Sequence, residues 1–453
     1  MTTGSPLRQI LAFAAPLFIG NIFQQIYTMI DTMEMGYFVG DGAIAAIGAA
    51  SSLYSLLMSL TISMNSGYAI LTTQAFGARD AQRLRQAIAG TAVLNGGMTV
   101  LPTAASLLFL RPLLRFMNTP AEIFEQSYRY MLILCAGLFT TVGYNMFASI
   151  LRAVGNSRTP LYILVFSSVV NILLDLFLIV VLNLGVVGTA LGTVLAQGLS
   201  AALCGWVLLR NYRDLLPKKG DVAASRAMWP PLLSSGTAMA LMLCVVNLGT
   251  LIFQRANNVL GGDVIAAHTA ARKMIDAFMQ PLATIATATS TFVSQNWGAK
   301  QYHRIQTTLQ KVLGLEALIG AAVCAIVYLT GEPLIRLVTG TQNGNIIANG
   351  VLSMRVHFPF FPLLGVLLCL RTAMQSMGYK AAPVASSCVE LAMKAVGAAV
   401  LIPACGYLGT CITEPLTWTM MTAFLLTVYL RQHKKIFANQ PELRQALEME
   451  GHP

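Results

Sequence analysis

Asp31 and Glu34 stand near the end of a run that has been almost wholly apolar since Ile10. If such a run crosses a bilayer, a charge at its middle costs about 2.5 to 3.5 kcal/mol on insertion scales, so acids kept at that depth usually face a cavity and serve transport. Asp31 is on that ground the first functional candidate. Asn171 and Asp175 follow in a later apolar run, four residues apart, a spacing that on a helix puts both on one face and lets them point together into a bundle interior. Thr193, in the next run, and Asn145, near the end of an earlier one, add oxygens of the type that a hard cation or a shared proton needs.

The elements that must carry these residues follow from composition. The chain has 453 residues, 56% of them hydrophobic and 10% charged, where a soluble domain carries about 25% charged residues. It reads as an all-α integral membrane protein. A spanning helix needs roughly 20 apolar residues, and twelve such runs are present, near 10 to 34, 43 to 72, 87 to 110, 126 to 150, 159 to 182, 187 to 209, 229 to 256, 264 to 293, 308 to 330, 346 to 370, 382 to 403 and 407 to 430. The first run is too long for a cleaved signal and lacks a small-residue cleavage site, so it is expected to be the first span.

The net charge of +11 is a matter of topology rather than of nucleic-acid binding. One alternate set of connections holds nineteen Lys and Arg, among them Arg79, Arg83, Arg85, Arg152, Lys218, Lys300 and Lys434, against four in the other set, Arg111, Arg115, Arg129 and Arg336. By the positive-inside rule the richer set and both termini are cytoplasmic. The eight cysteines lie in apolar runs without a C-x-x-C pair, so no metal or redox framework is expected.

The chain is also written twice. Q74-A-F-G-A-R79 recurs as Q295-N-W-G-A-K300, an offset of 221 residues. The same offset aligns G40-D-G-A-I-A-A46 with G261-G-D-V-I-A-A267, R111-P-L-L-R115 with E332-P-L-I-R336 and G185-V-V-G-T189 with G406-Y-L-G-T410, while an offset of 223 pairs Gly155 and Pro160 with Gly378 and Pro383. Six spans per copy return the second copy to the membrane in the same orientation, a parallel repeat about an axis along the membrane normal. The expected organisation is an N-terminal six-helix bundle over 1–209, a polar and basic linker over 210–228, a C-terminal six-helix bundle over 229–430 and a tail over 431–453. The two bundles, related by a pseudo-twofold, enclose a central cleft suited to alternating access.

D31-x-x-x-x-G36 with the Gly40–Ala46 turn, Q-x-x-G-A-[RK] closing the second span of each half, L151-R-A-V-G-N156 with Pro160, and N171-x-x-x-D175 leading to G185-x-x-G-T-A-L-G-T193 together resemble the multidrug and toxic-compound extrusion (MATE) transporters of bacteria. These belong to the multidrug/oligosaccharidyl-lipid/polysaccharide exporter superfamily, and the resemblance covers essentially the whole chain. It implies that Asp31, Asn145, Asn171, Asp175 and Thr193 bind the coupling H⁺ or Na⁺ inside the first bundle. Burial and like charge each disfavour a second negative charge, so with two acids in a poorly hydrated pocket one proton or one monovalent cation becomes the natural guest.

The second half departs from this pattern. Ile252 stands at the position of Asp31, Lys394 at that of Asn171 and Ala398 at that of Asp175. Glu390 and Lys394, four apart, are placed to pair on one helix face, and Glu414 stands opposite Thr193. Either that pair neutralises itself, or Lys394 repels cations while Glu414 attracts them. Glu34 and Arg255, at equivalent positions, are a candidate outer gate, and Arg272 with Asp276 a structural pair. No acid stands near Arg355 and His357 in span ten, where some family members place one, which argues against an ion site in the second half. Pro16 is the expected bending point of the first span.

The expected function is a secondary active antiporter of a bacterial plasma membrane, working as a monomer without a cofactor and exporting amphipathic, mostly cationic organic compounds against H⁺ or Na⁺. A flippase for a lipid-linked precursor, using the same bundles, is the alternative. The five histidines form no H-E-x-x-H spacing, and no nucleophile–base pair or P-loop is present, which argues against an enzyme.

Overall fold

The computed structural model describes residues 1–38, 41–116 and 119–438, with the backbone alone at 31–32, 34–36, 38, 41–53, 107 and 433–438. Among these residues every regular element is helical, and a helical rod occupies each expected span. The rods are α1 (Pro6–Phe38), α2 (Asp41–Gly77), α3 (Ala81–Phe116), α4 (Ala121–Ala136 and Leu138–Ala153, bent at Gly137) and α5 (Arg158–Leu176, running into a π-helical turn Phe177–Val181). Then come α6 (Val186–Asn211), α7 (Trp229–Asn257), α8 (Gly262–Gly298) and α9 (Tyr302–Thr339). The last are α10 (Gly344–His357 and Phe361–Ser376), α11 (Ala381–Val396, with a π-helical turn Gly397–Leu401 and Ile402–Cys405) and α12 (Tyr407–Ala438).

Seven helices among the described residues are long and apolar enough to cross a membrane, or nine if each of two bent pairs is one span. α8 is not among them: Arg272, Lys273, Asp276 and a series of hydroxyls interrupt its apolar run. Those hydroxyls are spent within the helix: Thr284, Thr287 and Thr289 each donate to the carbonyl four residues earlier at 2.7–2.8 Å. A donor so satisfied is tolerable in hydrocarbon. Large apolar side chains such as Leu101 (73% exposed) and Leu329 (85%) face outward, as a protein solvated by lipid requires.

The duplication read from sequence is present in the backbone. Arg79 and Lys300 end α2 and α8 with φ of 56° and 58°, Gly155 and Gly378 end α4 and α10 with 91° and 87°, and Gly185 and Gly406 precede α6 and α12 with 53° and 57°. The first four of these ends are Schellman caps, in which the amides of Asp80, Asn156, Gln301 and Tyr379 bond to the carbonyls of Ala75, Leu151, Asn296 and Met374 at 2.9–3.2 Å.

The chain forms two compact units, Ala15–Ala240 on the one hand and Met1–Ala14 with Leu241–Pro453 on the other. The division therefore falls inside α1, next to Pro16, and inside α7, rather than at the 209/229 linker. Packing explains the second of these: a Cβ on Gly67 of α2 would lie 2.6 Å from the Ser235 carbonyl carbon, and Leu232 is fully buried beside Tyr68 and Ala87. The linker is likewise held, Arg85 of α3 bonding Asp221 at 3.1 Å.

Candidate functional site

In the unit Ala15–Ala240, α5 buries Ser167, Asn171 and Asp175 in steps of four, at 3%, 1% and 0% exposure. This polar stripe lies against a stripe of small buried residues on α6, Gly188, Gly192, Ala196 and Ser200. The Ser200 hydroxyl donates to the Ser167 hydroxyl at 2.6 Å, tying the two helices together one turn from Asn171. Gly192 determines the rest. A Cβ there would lie 3.0 Å from the Asp175 Cγ and 3.4 Å from the Asn171 amide nitrogen, so the carboxyl occupies the room that only glycine leaves. Neither amide atom of Asn171 has a hydrogen-bond partner among the described residues, a state that costs about 1–3 kcal/mol unless something else satisfies it.

The other first-half candidates are placed less tightly. Thr193 follows Gly192 and is half-buried, its hydroxyl donating to the Thr189 carbonyl at 3.0 Å. Asn145 is half-buried on α4, its amide nitrogen donating to the Thr141 carbonyl at 2.9 Å. The side chains of Asp31 and Glu34, both on α1, lie outside the described residues. The structure thus joins Asn171 and Asp175 in one packed face and leaves the hydroxyl of Thr193 and the amide nitrogen of Asn145 bonded within their own helices.

In the unit of Met1–Ala14 and Leu241–Pro453, Glu390 and Lys394 form the i, i+4 pair that their spacing implied, at 2.9 Å, and the Lys394 ammonium also donates to the Thr250 hydroxyl of α7 at 3.0 Å. Lys394 is buried, its stem seated where Gly249 carries no side chain. Arg371, which the sequence reading passed over, stands 4.0 Å from the other Glu390 oxygen and bonds the Ser387 hydroxyl. Glu390 therefore sits between two cations.

A second cluster joins α8, α10 and α12. Arg272 bridges Asp276 at 3.1 Å and Glu414, and His357 Nε2 approaches the other Glu414 oxygen at 3.4 Å. Arg272 and Asp276 are thus part of a larger network rather than an isolated pair, because the chain fold brings in a carboxylate from a distant helix. Arg255 is exposed on α7. The sequence reading also missed Glu316, the lone acid in the apolar run of α9, fully buried in the structure. Like Asp31 it is an acid kept within an apolar run, the kind of residue that at membrane depth usually serves transport.

The fold and these buried polar sites define a duplicated, multi-pass helical membrane protein of transporter build. Comparison with known proteins agrees. The sequence model of the MatE family matches twice, at residues 16–177 and 238–400, the separation found between the internal repeats. The chain belongs to the MatE family, whose members are ion-coupled transporters and not enzymes. It is 27% identical to the "Probable multidrug resistance protein YoeA" of Bacillus subtilis, over 76% of each chain. Its fold is similar to that of a structure described as "Crystal structure of MATE in the bent conformation" (TM-score 0.88, 21% identity, 98% and 97% of the two chains). A second similar fold is the "Outward-facing conformation of a multidrug resistance MATE family transporter of the MOP superfamily" (0.86, 22% identity, 94% and 96%).

Proposed function

We propose that this chain is a secondary active antiporter that exports amphipathic, mostly cationic organic compounds in exchange for H⁺ or Na⁺. The coupling ion binds in the first half at Asp175 and Asn171, with Asp31, Asn145 and Thr193 completing its surroundings. The observation that supports this reading is a fully buried carboxyl beside a buried amide that bonds no described residue, both fitted against a glycine. A carboxyl buried to this extent favours taking up a proton or a small cation, since burial disfavours the bare charge. The name of the Bacillus subtilis relative is consistent with drug export. For antiport, ion and drug must prefer different states of the protein, because a ligand shifts an equilibrium only by its differential affinity.

Efflux from proteoliposomes under separately imposed pH and Na⁺ gradients tests this. Asp175→Asn and Asp31→Asn are each expected to lower gradient-driven efflux at least about tenfold, the consequence of losing about 1.4 kcal/mol of ion binding. Normal export by both variants under each gradient would show that the coupling site lies elsewhere. A second reading, a flippase for a lipid-linked precursor, draws on Arg371 joining Lys394 as a cation around Glu390. Competition of a lipid pyrophosphate against an organic cation, weakened by Arg371→Gln, would favour it.

A further inference from the structure

Glu316 is fully buried in α9, 14 residues from its first residue Tyr302, which is about 21 Å along the helix axis. Neither carboxyl oxygen has a hydrogen-bond partner among the described residues. The facing helix is the second segment of α10. A Cβ on Gly365 would lie 3.0 Å from the Glu316 Oε2, and one turn along α9 a Cβ on Gly320 would lie 2.5 Å from the Pro362 nitrogen. Two glycines on opposite helices thus let α9 and α10 close over the carboxyl.

No Arg, Lys or His among the described residues bonds either carboxyl oxygen. Of the titratable groups on the elements packed around it, the thiol of Cys369, one turn beyond Gly365 on α10 and itself fully buried, faces the carboxyl, and beyond that thiol lies Tyr429 of α12; Arg272 and Asp276 of α8, His357 and Arg371 of α10 and Glu414 of α12 are engaged in ion pairs of their own. α8 contributes Thr289, whose hydroxyl donates to the Ile285 carbonyl at 2.8 Å. The equivalent place in the first half is different in kind. There Asn95, at the offset of 221 from Glu316, donates to the Asn65 amide oxygen at 2.8 Å, and the counterpart of Asn65 is Ala286.

We propose that Glu316 is a proton-carrying site of the second half, separate from the first-half acids and linked to the substrate cycle. This rests on the antiporter reading and adds to it a second element of coupling. A metal cation needs several oxygens around it, whereas a proton needs only the carboxyl itself. With its proton in place the side chain is neutral and the α9–α10 seam stays dry and closed. When the proton leaves, the carboxylate demands water or a cation, and the glycine-lined seam is where the helices part to supply it.

The test is the binding of tetraphenylphosphonium by the purified full-length protein across a pH series, together with proton- and Na⁺-driven efflux from liposomes. For wild type, one linked proton changes the apparent affinity by up to about tenfold per pH unit. Glu316→Gln, which imitates the protonated form, is expected to keep binding the probe while losing part of that slope, and Asp175→Asn to lose a separate part. A wild type indifferent to both ions overturns antiport and this proposal together. A wild type driven by Na⁺ alone, or one whose full slope survives in Glu316→Gln, overturns the Glu316 assignment and leaves antiport standing. Infrared spectra decide even if the glutamine variant misfolds: wild type is expected to show a protonated-carboxyl band that weakens on adding the probe and moves in Glu316→Asp. Its absence from wild type refutes the assignment.

Discussion

The α5–α6 pair of the first half and the α11–α12 pair of the second share a scaffold and divide over what fills it. Both α5 and α11 carry a π-helical turn near the C-terminal end, and both pairs turn through a glycine of nearly the same φ, Gly185 or Gly406. In the first half the room left by Gly192 is taken by the Asp175 carboxyl. In the second, Thr413 stands at the counterpart of Gly192 and Ala398 at that of Asp175, and the space for the threonine is made by Gly397 instead. The glycine has changed sides. A pocket for an acid has become a packed contact, and on α11 the charges stand one and two turns away as the Glu390–Lys394 pair. A duplicated backbone therefore preserves the places where helices end and cross, while a single exchange of a small for a large side chain removes a site.

The largest expected effect on that contrast comes from breaking the second-half pair. Lys394→Met leaves the part-buried Glu390 with Arg371 at 4.0 Å as its nearest remaining cation among the described residues, a loss of up to about 3 kcal/mol, the figure for a buried pair deprived of one partner. The apparent melting temperature in detergent should fall and be largely restored in Glu390→Gln/Lys394→Met; no restoration would mean the pair does more than neutralise itself. Gly192→Ala comes next. Forcing a methyl against Asp175 is expected to cost about 1–3 kcal/mol by overpacking and to weaken ion-driven efflux, whereas Gly314→Ala, where a Cβ meets nothing within 4 Å, should be silent on both counts. Equal effects of the two would remove Gly192 from the site. Ser200→Ala is the mildest. It deletes one interhelical bond to Ser167, worth about 0.6 kcal/mol in membrane proteins, and should shift thermal stability slightly while leaving the preference for H⁺ or Na⁺ unchanged.

Much of this was legible in the chain. The twelve rods follow from apolar runs, because a backbone in hydrocarbon must satisfy its own hydrogen bonds and does so as helix. The paired caps follow from matched motifs, and the shared face of Asn171 and Asp175 from a spacing of four. The importance of Gly192 was half visible inside G185-x-x-G-T-A-L-G-T193, where nothing marked it as the residue facing the carboxyl. Arg371 and Glu316 were missed for a different reason. Each is a charge within or at the edge of an apolar run, and whether such a charge is paired depends on side chains from other helices.

The sequence by itself determined the membrane class, the duplication, the helix ends and the family, all of which rest on local periodicity and on motifs that repeat at constant spacing. Only the tertiary structure decided which charges are balanced. It gave Glu390 two cations, drew Glu414 to Arg272, fitted Asp175 against Gly192 and left Glu316 without a hydrogen-bond partner among the described residues. Whether a buried charge is balanced depends on contacts between helices far apart in the chain, and no spacing within one helix records those contacts.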